Sequence, residues 1–176
     1  QFELVHNARK ATRNVTYRFS PTTQSVQPVR IAFLTTGGTA SASEINVNSM
    51  NPWVEVAIVG ANTLGKPVGQ DAFDLSSCPD RLRLVTFKTV NADGSGDYYG
   101  GLAGSVPFAC AADDTVAEPL GSASEGMVAA GLAWLGTGAC PAPMATDVAR
   151  EKTGGASSYP LPRHPSAAQR WLLGVD

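Results

Sequence analysis

The sequence is poor in the residues from which most catalytic and binding motifs are built. It holds two histidines and three cysteines in 176 residues. His6 and His164 fall in the two least structured stretches, which argues against a Ser-His-Asp triad. No Cys-x-x-Cys occurs, and Cys78, Cys110 and Cys140 lack zinc-ligand spacing. No metal site and no cofactor are therefore expected. Gly-x-Ser-x-Gly elbows, Ser-x-x-Lys pairs and Gly-x-x-x-x-Gly-Lys-Ser/Thr phosphate loops are all missing. No apolar run approaches the roughly 18–20 residues of a membrane span. The net charge of −2 comes without a block of like charges, so a nucleic-acid footprint is not expected. There is no basic-then-apolar leader and no initiator methionine, so Gln1 reads as an internal start.

What is present suits a globular domain: 43 % of the residues are hydrophobic, enough for one core. Residues 1–28 are polar and mixed, with Val15–Phe19 the one strand-like run. The apolar run 29–35 reads as a strand, and Gly37-Gly38 as a turn. A helix is expected over about 40–50, with Ser41 in its first turn, ended by Asn51-Pro52. Val54–Gly60 is nearly continuous in apolar residues, which suits a strand covered on both faces. Together these segments make a βαβ unit, whose crossover should be right-handed. Val68–Phe73 and Arg81–Val90 read as further strands. Tyr98-Tyr99-Gly100-Gly101 reads as a surface loop. A second helix is expected over about 123–135, opened by a Ser122/Glu125 capping box and stopped by Gly136 and Gly138. Its buried face would be Met127, Ala130, Gly131 and Trp134. Asp113-Asp114 reads as a solvated turn. Beyond residue 140 the composition turns to Pro, Ala, Ser and Gly, and 141–176 reads as an extended tail wrapped on the domain, anchored at most by Arg170–Leu173, or as partly disordered.

The chemistry centres on Thr39-Ala40-Ser41-Ala42-Ser43-Glu44, followed by Gly65-Lys66-Pro67-Val68-Gly69-Gln70. A serine at a helix start lies where unpaired backbone N–H groups and the helix dipole would stabilise an oxyanion. Lysine can serve as its base only when neutral, which requires a dry site. Lys66 follows an apolar strand, is flanked by Gly65, Pro67 and Val68, and has no acid beside it in sequence. The pair reads as nucleophile and base. The plain alternative is an ordinary small-residue helix start and a solvated lysine.

This paired pattern resembles the C-terminal processing (tail-specific) serine proteases. In that family the middle serine of Ser/Thr-Ala-Ser-Ala-Ser-Glu is the nucleophile and the lysine of Thr-x-Gly-Lys is the base. The resemblance thus implies Ser41 as nucleophile, Lys66 as base, Gln70 beside the dyad and the Ala42 N–H as one oxyanion donor. Glu44 would support the helix start. Asn91-Ala92-Asp93-Gly94, Asp97-Tyr98, Asp113-Asp114 and Leu120-Gly121-x-x-x-Glu125 resemble one bacterial branch, so the likeness covers about residues 29–140.

The implied fold is mixed α/β, a crotonase- or ClpP-like stack of ββα units. It would be incomplete here, because neither a PDZ-like domain nor the Asp-Leu-Arg-x-Asn-x-Gly-Gly segment that gives the second oxyanion donor occurs in residues 1–40. The expected organisation is 1–140 as the C-terminal portion of a catalytic domain and 141–176 as tail. The implied function is a serine endopeptidase acting through an acyl-enzyme, weak or inactive as an isolated chain. Its partners would be peptide or unfolded protein substrates and the N-terminal half of the protease. The alternative is a non-proteolytic peptide- or lipophile-binding module. The family works in the bacterial cell envelope, so the chain would be periplasmic, envelope-bound or secreted. Three cysteines are compatible with export, and Cys110–Cys140, which bracket the second helix, are the chosen pair.

Overall fold

A computed structural model describes residues 1–119 and 121–145. The expected tail from residue 146 on, with His164 and the Arg170–Leu173 anchor, lies outside the described residues, as does Leu120. Among the described residues, seven strands and two α-helices follow in chain order. They are β1 (Phe2–His6), β2 (Val15–Tyr17), β3 (Arg30–Thr35), α1 (Ala42–Met50), β4 (Glu55–Gly60), β5 (Val68–Asp74), β6 (Arg81–Asn91), β7 (Phe108–Ala111) and α2 (Gly126–Thr137). They form a mixed α/β fold with two sheets: antiparallel β2-β1-β6-β5 and parallel β3-β4-β7.

The parallel sheet is built around β4. Val56, Ala57, Ile58 and Val59 are all fully buried, because the strand is covered on both faces. Val56 and Ile58 join Val47 of α1 with Tyr98, Leu102 and Ala103. Ala57 and Val59 point the other way, to Trp134 of α2 and Cys110. Each buried valine or isoleucine side chain stabilises the fold by about 1.5–3 kcal/mol, and the double cover explains why this run lacks the alternation of a half-exposed strand. The β3–α1–β4 crossover pairs its strands in parallel, Ile31 opposite Val56 and Phe33 opposite Ile58.

Several expectations need correcting. The amino-terminal region holds a second strand, β1, which pairs antiparallel with both β2 and β6. Tyr98 is not on the surface: it is 2 % exposed, because its ring closes the core over α1. The short β7 was not legible as a strand, yet it pairs in parallel with β4. Ser122 does not cap α2. Glu125 is the N-cap, its carboxylate accepting from the Met127 and Val128 amides. The helix passes through Gly136 and ends at Gly138, whose left-handed conformation (φ 76°) turns the chain away. Cys110 and Cys140 are joined by a disulfide with Cα atoms 5.1 Å apart. Beyond it, Ala142 and Met144 hydrogen-bond antiparallel along β7.

Candidate active site

The site forms where β3 and β4 end side by side. After Thr35 the chain is held in a tight turn: Thr39 Oγ1 accepts from the Thr36 amide at 3.0 Å, and Thr36 Oγ1 from the Gly38 amide at 3.2 Å. The turn delivers Ser41 with φ 55° and ψ −115°, and it is the one non-glycine residue with positive φ among the described residues. Such a conformation costs about 1–3 kcal/mol and persists only where the surroundings enforce it. Ser41 is therefore the N-cap of α1, one residue before the helix, and not a member of its first turn. A strained serine between a strand and a helix start is the elbow geometry of a presented nucleophile, reached here without the glycine motif.

Two contacts bind this elbow to the neighbouring loop. The Leu64 amide donates to the Thr39 carbonyl at 2.8 Å. The second contact is Glu44, which is fully buried and accepts three backbone N–H groups. Its Oε2 takes those of Ser41 at 2.9 Å and Lys66 at 2.8 Å, and its Oε1 takes that of Gly65 at 2.7 Å. One carboxylate oxygen thus lies a single hydrogen bond from both Ser41 and Lys66, and their backbones run side by side. Glu44 does support the helix start, but it also joins two loops. Local sequence could not show this, because its further partners are backbone amides 21 and 22 residues away.

The lysine loop is braced from behind. Asn62 Nδ2 donates to the Gly100 carbonyl at 2.8 Å, Asn62 Oδ1 accepts from the Ala103 amide at 2.9 Å, and Thr63 Oγ1 accepts from the Leu102 amide at 2.9 Å. Past Lys66, the Pro67 carbonyl accepts from the Thr89 amide at 2.8 Å and from Thr89 Oγ1 at 3.2 Å. The Tyr98 hydroxyl lies 3.4 Å from Thr89 Oγ1. Burial raises the Tyr98 phenol above its ordinary pKa, the Thr89 hydroxyl opposes this, and the nearby Glu44 charge adds to it. The phenol therefore stays neutral. The Asn91–Asp93 landmark proves to be structural: Asn91 Nδ2 donates to Asn48 Oδ1 of α1 at 3.2 Å, and Asn91 Oδ1 accepts from the Asp93 and Ser95 amides.

Of the expected site residues, Ser41 and Lys66 are brought together through their backbones. Ala42 opens α1 and is exposed. Ser41 gives its N–H to Glu44, and the Ser43 N–H turns to the Ala40 carbonyl at 3.2 Å. Neither of these bonds uses the Ala42 N–H. Gln70 sits in β5 at a bulge beside Gly69, opposite Val85, and is exposed. Lys66 is also exposed. The dry site expected for it does not form among the described residues, since the residue is open to solvent. The broad concavity lined by Pro28, Val29, Trp53, Pro107 and Leu135 lies at the other ends of the same strands and contains none of these residues. Among the described residues no cluster of His, Cys, Asp or Glu could hold a metal ion, and no helix is long and apolar enough to cross a membrane.

Residues 2–100 match the profile of peptidase family S41. No curated protein matches the chain. Among solved structures, a candidate S41 protease from Bacteroides fragilis superposes with a TM-score of 0.62 at 22 % identity. The match covers 77 % of this chain and 36 % of that one, so the chain spans about a third of that protein's length.

Proposed function

The chain belongs to peptidase family S41, and from that premise we propose that it is a serine endopeptidase domain working through Ser41 and Lys66. Neutral Lys66 Nζ takes the proton from Ser41 Oγ as the oxygen attacks a peptide carbonyl. The Ala42 N–H, at the positive end of α1, receives the negative charge that develops on the carbonyl oxygen. The lysine ammonium then protonates the leaving amine; Lys66, neutral again, takes a proton from the water that attacks the acyl-serine and returns it to Ser41 Oγ as the acid product leaves. Gln70, four residues beyond Lys66 in β5, would orient the lysine or the peptide. The observation that carries this reading is the strained Ser41 sharing one Glu44 oxygen with Lys66.

The expected substrate is an unstructured peptide or protein end. A PDZ-like domain and a glycine-rich segment with the second oxyanion donor, which residues 1–40 are expected to lack, would be its partners within a complete protease. Missing one donor costs about 100- to 1000-fold in turnover, so peptidase activity of this chain alone should be weak or absent. The Cys110–Cys140 disulfide supports a cell-envelope or secreted setting, where such bonds persist. The exposure of Lys66 favours a second reading, a peptide- or lipophile-binding module without proteolysis. A fluorophosphonate probe separates the two. The protease reading expects covalent labelling at Ser41 that is lost in Ser41→Ala and falls at least about 100-fold in Lys66→Ala. No labelling up to about pH 10, where an ordinary lysine deprotonates, would leave the binding module.

A further inference from the structure

We infer that Glu44 is a positioning residue that sets the nucleophile and the base in register. This rests on the reading of Ser41 and Lys66 as the reacting pair. The carboxylate is buried without a charged partner: none of the ion pairs among the described residues includes it. Its charge is met instead by three N–H groups and by the positive end of α1. A helix cap needs only the Ser41 amide. The Gly65 and Lys66 bonds add nothing to the helix, and they account for why the position holds a fully buried acid.

The geometry leaves little room for another residue at this position. Glutamine offers one oxygen, and its amide group would point N–H at N–H toward at least one of the three donors. Aspartate keeps the charge but is one methylene shorter, so it cannot span from the elbow to Gly65. Because Oε2 is shared, movement of either loop pulls on the other, and a displacement near 1 Å costs on the order of 100-fold in rate. Committing the Ser41 N–H to Glu44 also decides which elbow amide faces the oxyanion, namely that of Ala42.

The test is Glu44→Gln, read by amide hydrogen exchange and by the rate of fluorophosphonate labelling in the folded full-length protein. In wild type the Ser41, Gly65 and Lys66 amides should be protected together. In E44Q all three should lose at least about tenfold of that protection while Val56–Val59 of β4 keep theirs, and labelling should slow about 100-fold. Labelling is scaled to the folded fraction, so a residue that merely stabilised the fold would show no change. Folded E44Q labelling within about twofold of wild type overturns the proposal, as does a wild type whose Gly65 and Lys66 amides exchange like open loop. Should E44Q fail to fold, Glu44→Asp is measured in the same way, and the wild-type exchange decides alone if both fail. A wild type that takes no label overturns the dyad reading itself.

Discussion

Ser41-Ala42-Ser43-Glu44 and Ser122-Ala123-Ser124-Glu125 are the same four residues, and each precedes or opens a helix. The first bends into a strained elbow, with the serine as N-cap and the glutamate one turn inside, buried and shared between two loops. The second forms a surface turn. There Ser122 Oγ and Ser124 Oγ lie 2.7 Å apart, Ser124 reaches Glu118, and Glu125 is the N-cap in an ordinary extended conformation. The difference comes from what lies across from each. Besides the Ser41 amide of its own helix, Glu44 meets the Gly65 and Lys66 amides of the loop that follows β4. Opposite Glu125 is mainly its own helix, with Thr115 the one outside partner. Sequence distance marks the same contrast, since 25 residues after Ser41 stands Lys66, whereas 25 residues after Ser122 stands Asp147. A serine motif of this kind takes its conformation from its surroundings.

The most damaging way to probe that claim is to alter the surroundings and leave both tetrapeptides intact. Gly65 has φ +85°, and a Cβ there would collide with the Tyr99 carbonyl oxygen and lie 2.6 Å from the Gly101 nitrogen. Gly65→Ala must therefore push the loop, and with it the Gly65 and Lys66 amides, off Glu44. Left-handed strain and overpacking together should cost about 4 kcal/mol. Gly121, beside the second tetrapeptide, also has positive φ (79°) but open space around it. Gly121→Ala should cost only the strain, about 1–2 kcal/mol. Urea midpoints of the two variants check this. Equal losses would mean that packing around the elbow does not distinguish it.

A smaller effect should follow from cutting the covalent tie of the second region. The Cys110–Cys140 bond closes a loop of sequence separation 30 that contains all of α2. Removing it by reduction or by paired serine substitution should lower stability by about 3 kcal/mol through the entropy returned to the unfolded chain. Hydrogen exchange should place the loosening in α2 and along Ala142–Met144, while the Glu44-bound amides stay protected. An equal rise in exchange at Ser41 and Lys66 would show that the two regions are coupled through the sheet.

These contrasts bear on how much of the molecule could be read beforehand. The β3–α1–β4 unit was legible because its signals are local and strong: a continuous apolar run, a glycine turn and small residues opening a helix. The strands β5 and β6 were legible for the same reason. The strand β1 was hidden because the alternation of Phe2-Glu3-Leu4 breaks at Val5, and its pairing depends on β6, some 80 residues on. Tyr98 was misread because its neighbours are turn residues, whereas its own ring fills the space over Val47 and Ile58. At the site, the residue types and their spacing were visible, but the conformation of Ser41 and the reach of Glu44 were not. Backbone amides have no letter in a sequence, so an acid that binds three of them looks like a helix cap.

The smallest expected effect concerns the second glutamate and can be seen with pH alone. The Val128 amide first and then that of Met127 hold the Glu125 carboxyl below its ordinary value of 4.5; desolvation opposes them, and the Thr115 groups add smaller contributions in the same direction as the amides. A carboxyl with a lowered pKa in the native state binds its proton less readily there than in the unfolded chain. Its contribution is therefore fully present above about pH 4.5 and is lost as pH falls through the lower native value. The start of α2 should fray over that acid window, seen as faster exchange at Met127 and Val128, and the extra fraying should be absent in Glu125→Gln. Because the group is exposed, salt should weaken the effect. If Glu125→Gln and wild type lose protection at these two amides along the same acid curve, Glu125 is not the cap that orders this helix, and the contrast with Glu44 would need another origin.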